Sequence, residues 1–139
     1  MSATVTAGAA IAAALGLAAV IGVLHNRRHG VLQDTPHPGG LDTADLALSS
    51  TGPTVVHFTA VWCGPCAAVR RVIQQVVADL PRVTHVEIDM DDNPAAARKL
   101  SVLSLPTTFI FDADGRQRYR SSGVPKAGDL KAALEPLLT

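Results

Sequence analysis

Two cysteines three positions apart are the residues of this chain best suited to chemistry. Cys63 and Cys66 enclose Gly64 and Pro65, and the 139-residue sequence has no other cysteine. Thiols at this spacing can oxidise reversibly to a disulfide, with a thiolate as the attacking group. Pro65 fixes its φ near the value of a first helical turn, and Gly64 leaves the approach to Cys63 open. The pair therefore indicates a redox-active dithiol.

Two other interpretations of the cysteine pair are weaker. A structural disulfide across two residues would close a very small loop and gain little entropy. A zinc site would need two more ligands, and His57 and His85 lack the paired spacing of a zinc motif. The carboxylates Asp89, Asp91 and Asp92 precede Asn-Pro, so we expect them to cap a helix and face water. We therefore predict no metal ion, and no cofactor beyond the redox-active disulfide.

The elements around the cysteines alternate between strand and helix. Residues 54–59 are β-branched and apolar and predict a buried strand that ends just before the pair. Apolar residues then recur at three- and four-residue spacing over 66–80, which predicts an amphipathic helix. Further patterns predict a strand at 83–88, a helix at 94–100, a hairpin of strands 107–111 and 116–121, and a helix at 129–138. This order predicts an α/β fold with a central mixed sheet and helices on both faces.

Residues 55–66 (Val-Val-His-Phe-Thr-Ala-Val-Trp-Cys-Gly-Pro-Cys) resemble the active-site strand and turn of the thioredoxin family. Three further segments are similar in order and spacing: residues 86–94, the Leu-Pro-Thr of residues 105–107, and Gly115 with Gly123. The resemblance covers about residues 45–139, which we expect to form one domain. It implies a thioredoxin-like fold and a thiol–disulfide oxidoreductase that reduces protein disulfides.

The resemblance also implies roles for individual residues. Cys63, expected at a helix N-terminus that lowers its pKa, would attack a substrate disulfide, and Cys66 would then release the product. Pro106 would form a cis peptide bond with Leu105 and face the cysteines, where it lends backbone groups to an extended substrate. The residues expected at the substrate surface are Trp62, Gly64, Pro65, Leu105, Pro106 and Gly123.

Two positions depart from the family pattern. Related proteins usually carry a buried Asp where this chain has His57, and often a Lys where it has Glu87. One hypothesis is that His57 accepts the proton of Cys66 while Glu87 orients the ring or stabilises its charged form. The alternative is a core histidine satisfied by a backbone partner, with Glu87 facing solvent.

The N-terminal region differs in composition from the rest of the chain. Val5 to Leu24 contains no charged side chain and is about long enough to span a bilayer as a helix. A signal peptide, a buried helix and an incorrectly chosen start codon are alternatives. A signal peptide would have a positive segment first, and a buried helix would have a polar face, so residues 1–30 predict a membrane anchor.

Beyond the apolar stretch, two features bear on how the domain is held. Arg27 and Arg28 directly follow the stretch, so the positive-inside rule predicts a single-pass protein with its domain in the cytoplasm. Residues 31–53 are rich in Pro and Gly and predict a linker. We expect a short edge strand at residues 31–33 of this linker and a brief helix at 42–48, capped by Asp42 or Thr43.

The function expected from these features is a membrane-tethered protein-disulfide reductase that serves cell redox homeostasis. Its partners would be protein disulfides and an electron donor such as thioredoxin reductase. Nucleic acid is not expected, because 12 Lys and Arg balance 12 Asp and Glu. One alternative is an outward-facing protein that serves extracytoplasmic thiols or cytochrome c maturation with electrons from a membrane donor. Another is a binding module that has lost efficient turnover.

Overall fold

The computed structural model describes residues 2–35 and 43–139. Its four α-helices are α1 (Ser2–Arg27), α2 (Cys66–Asp79), α3 (Pro94–Lys99) and α4 (Ala127–Leu134). Its five strands are β1 (Gln33–Asp34), β2 (Thr54–Thr59), β3 (Thr84–Asp89), β4 (Thr107–Phe111) and β5 (Gln117–Ser122). Short 3-10 helices cover Ala44–Leu46 and Glu135–Leu138.

The strands form one mixed sheet in the order β1-β5-β4-β2-β3. Strands β2 and β3 are parallel, while β4 is antiparallel to β2, β5 to β4, and β1 to β5. All six residues of β2 are buried, as expected for a central strand covered on both faces. The cysteine pair follows this central strand directly, so the most deeply held strand of the sheet positions it.

A separate apolar core lies on each face of the sheet. On one face, Val55 and Ile110 pack against α2 and α4 through Val69, Ile73 and Leu130. On the other face, the strands pack against α3 and the first 3-10 helix; this core includes Leu46, Val56, Phe58, Ala97, Leu100, Phe109 and Phe111. Because β2 alternates its side chains between the faces, it contributes to both cores. The mixed sheet with helices on both faces, and the thioredoxin-like fold, are confirmed.

The predicted elements are present, with small differences at their ends. The strand expected at 83–88 runs from Thr84 to Asp89, and the last predicted helix divides into α4 and a 3-10 turn. Asn93 occupies the N-cap position of α3 but makes no side-chain capping hydrogen bond. The predicted edge strand exists as β1, displaced towards Gln33–Asp34. Thr43 is the N-cap of the first 3-10 helix, and Asp42 lies outside the described residues.

Helix α1 stands apart from both cores. It is long and apolar enough to cross a membrane over Val5–Arg27, and none of that segment is buried. This exposure excludes a buried core helix, the alternative considered from the sequence. A signal sequence would have the same length and composition.

Candidate active site

Cys63 and Cys66 form a disulfide at the C-terminal end of β2, with their Cα atoms 5.5 Å apart. The two cysteines differ in accessibility, since Cys63 is half-buried and Cys66 is only 2% exposed. The Cys66 sulfur lies 3.9 Å from the carbonyl oxygen of Phe58 in β2. A substrate can therefore approach Cys63 from solvent, while Cys66 faces the interior.

The turn between β2 and α2 holds the cysteines in this arrangement. Helix α2 begins at Cys66 with Pro65 as its N-cap residue, so Cys63 precedes the first helical residue by three positions. The Cys63 N–H donates to the Ala60 carbonyl at 3.1 Å, which closes the turn. Gly64 and Pro65 are exposed on its outer surface. The positive end of the α2 dipole lies beside the pair and favours negative charge there.

The loop before β4 lies at the same end of the sheet as the cysteines. Its Leu105–Pro106 peptide bond is cis, as the resemblance implied. The Gly123 N–H donates to the Pro106 carbonyl at 2.9 Å, which joins this loop to the segment after β5. Gly123 has a φ of +91°, a conformation that favours glycine. Pro106 is buried and Leu105 half-buried, so the loop supports the outer surface of the site.

Trp62, next to Cys63, is 65% exposed and is held by one side-chain hydrogen bond. Its indole Nε1 donates to Asp91 Oδ2 at 2.9 Å. Asp91 and Asp92 face water as expected, but the expected capping is wrong, because the N-cap residue of α3 is Asn93 and no side-chain capping hydrogen bond is made there. Asp89 instead accepts the backbone N–H groups of Asp91 and Asp92 at 2.8 and 3.4 Å. Sequence spacing could not reveal the contact, since its partners are 29 residues apart.

A polar cluster lies beside α2 and runs from the buried side chain of β2 to a solvent-facing carboxylate on β3, as the alternative interpretation expected for Glu87. It contains His57, His85, Glu87 and Arg70. His57 is fully buried, and its Nδ1 lies 2.9 Å from His85 Nε2. Arg70 of α2 makes two hydrogen bonds to Glu87, at 2.7 and 2.5 Å. Residues His57 and Glu87 are direct neighbours in the register of β2 and β3.

The position of Glu87 favours one tautomer of His57. Glu87 Oε2 lies 3.5 Å from His57 Nε2, an atom that makes no hydrogen bond to the described residues. A carboxylate beside this nitrogen favours N–H over a lone pair. Nδ1 is then the acceptor, and His85 Nε2–H is the donor. The sequence interpretation paired His57 with Glu87 but did not foresee His85, whose contact follows from its place two residues before Glu87 on β3.

Burial determines the charge state of both histidines. It lowers the pKa of His57 to about 4, although Glu87 acts in the opposite direction. Burial also lowers the pKa of His85. The hydrogen bonds from Arg70 hold the pKa of Glu87 below its usual value. At neutral pH the cluster therefore contains two neutral imidazoles beside a carboxylate–guanidinium ion pair.

Among the described residues, the side chains of this cluster come nearest to the arrangement that a metal ion needs. Ligand atoms of His57, His85 and Glu87 lie within 4.8 Å of one another. Glu87 is already bound by the Arg70 guanidinium, and the two imidazoles are bonded to each other. A cation would have to displace or lie beside the positive charge of Arg70, which is unfavourable. We interpret the group as a hydrogen-bonded cluster.

Two buried hydroxyl groups extend the polar cluster across the sheet. Thr108 of β4 lies opposite His57, and Ser121 of β5 lies opposite Thr108. Their hydroxyl oxygens are buried and make no hydrogen bond to the described residues. His57, Thr108 and Ser121 thus form a row of buried polar side chains across three strands, each opposite the next in register.

Comparisons with known proteins agree with the fold and with the cysteine turn. The family model for thioredoxin matches residues 43–136. A thioredoxin from Mycolicibacterium smegmatis is 42% identical over 94 residues, which cover 66% of this chain and 83% of the relative. A bifunctional thioredoxin reductase/thioredoxin from Mycobacterium leprae is 40% identical over 65 residues, 46% of this chain and 14% of the relative. The solved structure of a mutant thioredoxin from Halobacterium salinarum has a TM-score of 0.60 at 30% identity and covers 73% of this chain and 87% of that one. The chain belongs to the thioredoxin family of thiol–disulfide oxidoreductases.

Proposed function

We propose that this protein is a membrane-tethered reductase of protein disulfides that works through Cys63 and Cys66. The observation that carries the proposal is the unequal burial of the two sulfurs beside the loop of Pro106. One cysteine is open to an incoming disulfide and the other lies behind it, 2% exposed. This arrangement suits a reaction with one attacking and one resolving thiol.

The reaction consists of two thiol–disulfide exchanges. The Cys63 thiolate attacks one substrate sulfur and forms a mixed disulfide, while the other substrate sulfur leaves with the electron pair and takes up a proton. Cys66 then loses its proton and attacks Cys63, which releases the second substrate sulfur as a thiolate. The substrate gains two electrons, its second thiolate takes up a proton from solvent, and the protein is left in the disulfide form described above.

In this proposal, the polar cluster around His57 is the route for the Cys66 proton. Cys66 lies against Phe58, the residue that follows His57 in β2. His57 is neutral near pH 7, and it can accept a proton, directly or through one water molecule, in the tautomer whose Nδ1–H donates to His85 and whose Nε2 carries the lone pair. The imidazole pair can reverse the direction of its hydrogen bond and pass a proton to His85, which is half-buried. Glu87 stabilises the charged form of either ring.

The tether in this proposal is helix α1. In this proposal the segment Val5–Leu24 spans the membrane, and the positive charges of Arg27 and Arg28 directly after it favour a cytoplasmic domain. A cytoplasmic domain would be re-reduced by a protein similar to thioredoxin reductase. The relative from Mycobacterium leprae joins a reductase and a thioredoxin in one protein, which supports this pairing.

A second candidate has the same chemistry on the other side of the membrane. In this case the domain faces outward, serves extracytoplasmic thiols or cytochrome c maturation, and receives electrons through a membrane donor. Helix α1 is rich in Ala and Gly and only moderately hydrophobic, and its orientation in the membrane depends on the two arginines that follow the apolar stretch. A topology reporter fused after Thr139 distinguishes the two candidates.

The test of the reductase function is insulin reduction by the full chain in vesicles. With NADPH and thioredoxin reductase, we expect turnover in the wild type and none in Cys63→Ser. If dithiothreitol supports turnover and the reductase does not, the outward-facing candidate is favoured. If neither donor supports turnover, the protein is a binding module that has kept the fold, and the proposal is wrong.

A further inference from the structure

The end of helix α1 is attached to the domain by direct contacts. We call residues 28–35 the tether segment. Its Gly30 N–H donates to the Ser122 carbonyl at the end of β5. The segment then forms β1, which adds to the sheet as an edge strand beside β5. Thr35 accepts a hydrogen bond from the Gln117 side chain at 2.9 Å, and Leu32 packs on the core beneath α2 and α4.

Two glycines allow the tether segment to approach the loop after β5 closely. Gly30 has a φ of +78°, and a Cβ on it would lie 2.2 Å from the Val124 carbonyl oxygen. A Cβ on Gly123 would lie 3.1 Å from the Gly30 nitrogen and 3.4 Å from His29. Backbone therefore meets backbone at this junction. Any larger side chain at Gly30 would force the segment away from the domain.

The strand directions show at which end of the domain the junction lies. Strand β2 runs towards the cysteines, and near that end Phe58 pairs with Thr107, which pairs with Ser122 of β5. Ser122 is the residue that binds Gly30. The junction and the disulfide therefore lie at the same end of the sheet. Gly123, which contacts Gly30, also binds the Pro106 carbonyl beside the active site.

The distances along and across the chain keep this end close to the end of α1. Gly30 lies three positions after Arg27, so the chain between their Cα atoms spans at most about 10 Å. Within the sheet, β5 and β4 lie between Gly30 and β2. These three strand spacings add about 15 Å. A free linker of residues 28–42 would instead let the domain move over roughly 20–25 Å. The junction replaces that freedom with a fixed attachment.

We infer that the tether segment holds the Cys63–Cys66 end of the domain against the membrane surface, so that its partners are disulfides in the membrane-proximal parts of membrane proteins. This inference rests on the proposed role of α1 as a membrane anchor. A disulfide displayed far from the bilayer would meet the opposite end of the domain. The protein would then select disulfides by their distance from the bilayer, and this selectivity would come from the attachment of the anchor and not from the active site itself.

The first test uses Trp62 as a probe, because it is the only tryptophan of the chain and adjoins Cys63. The full chain is reconstituted in phosphatidylcholine vesicles with and without a nitroxide-headgroup lipid, and quenching of Trp62 is measured. Four proteins are compared: wild type, a Gly-Ser insertion after residue 38, Gly30→Val, and the combination. Gly128→Val is the matched control, since a Cβ at Gly128 meets nothing within 4 Å.

We expect wild type, the insertion alone and Gly128→Val to be quenched equally, because β1 lies before the insertion and keeps the junction. The combined variant should be quenched severalfold less, and Gly30→Val should lie between them. Equal quenching of all five proteins, or a loss caused by the insertion alone, would overturn the inference. The rate on soluble insulin checks that each variant is folded.

The second test needs no variant of this protein. A disulfide peptide is anchored in the same vesicles either at the headgroups or on a helical spacer about 45 Å long, which exceeds the domain diameter of roughly 35 Å. The wild type should reduce the disulfide at the headgroups, and the disulfide on the spacer should be reduced only at the background rate. Equal rates would contradict the inference. Flotation with the vesicles is scored separately, because a protein that fails to float contradicts the membrane anchor and not the orientation.

Discussion

The outer and inner layers of the active site differ in how their polar groups are satisfied. In the outer layer, Cys63 is half-buried and Trp62 is exposed, and the indole binds an exposed carboxylate. In the inner layer, His57 is fully buried and its Nε2 makes no hydrogen bond to the described residues. Exposed groups gain or lose little when a partner changes, whereas buried polar groups respond strongly. The outer layer is therefore suited to contact substrates, and the inner layer to control protons.

The largest effect on activity is expected when the buried sulfur of the inner layer, that of Cys66, is removed. In Cys66→Ser, we expect turnover with insulin to fall to background, because no thiol can resolve the mixed disulfide. Attack by Cys63 should continue, so the variant should accumulate a covalent substrate adduct that mass spectrometry detects. Cys63→Ser is the matched control and should form no adduct. An adduct on Cys66 in that control would reverse the roles assigned to the two layers.

The next largest effect is expected from the buried base. In His57→Gln, loss of a proton acceptor should slow resolution by Cys66 about 10²-fold at pH 7. Formation of the mixed disulfide by Cys63 should change little. Both steps can be followed by stopped flow with a fluorescent disulfide substrate over a range of pH.

The matched control for that variant is Thr108→Val, which changes the residue opposite His57 without removing a base. We expect its resolution rate to equal that of the wild type. If His57→Gln leaves the rate and its pH profile unchanged, His57 is a structural core residue. An equal loss in both variants would indicate that packing beneath α2, and not proton transfer, controls the step.

The outer layer was more predictable from the sequence than the inner layer. The Cys-Gly-Pro-Cys spacing and the apolar periods around it place the dithiol between β2 and α2, since both signals are local. The contact of His57 with His85 depends on the register of two strands separated by a helix. The predicted His57–Glu87 neighbourhood is present at 3.5 Å, but Arg70 makes the hydrogen bonds to that carboxylate.

The tether segment shows the same limit of sequence reasoning. The Pro- and Gly-rich composition of residues 31–53 predicts a linker, and a short edge strand was expected within it. Nothing local to Gly30 shows that it meets Val124, because 94 positions separate the two residues. Contacts between backbone groups leave almost no trace in side-chain patterns. Only the directions and register of the strands reveal which end of the sheet receives the anchor.

The pH dependence of stability should also distinguish the two layers. The pKa of His57 is about 4 in the fold and near 6.5 in the unfolded chain. The unfolded state therefore binds more protons between these values, and stability falls as the pH drops through this window. From pH 7.5 to 5, His57 should cost the oxidised protein about 2 kcal/mol of unfolding free energy.

Urea denaturation of the oxidised protein at the two pH values measures this loss. His57→Gln should lose less stability over the same interval; the pKa of His85 is also lowered, so its share of the loss should persist. The interval stops at pH 5, above the usual pKa of Glu87, so that carboxylate contributes little. Equal losses in wild type and variant would mean that His57 titrates as an exposed histidine and does not belong to a buried layer.

The smallest effect is expected at the exposed indole. Trp62→Phe keeps an aromatic surface beside Cys63 and removes the hydrogen bond to Asp91, a contact that contributes about 1 kcal/mol or less at an exposed position. We expect KM for a protein disulfide to rise by less than about tenfold with kcat unchanged, because the group would help to hold substrate without moving a proton. Asp91→Asn keeps an acceptor for the indole and should behave as the wild type. A loss in kcat as large as that of His57→Gln would place Trp62 in the proton-controlling layer, and the distinction between the two layers would fail.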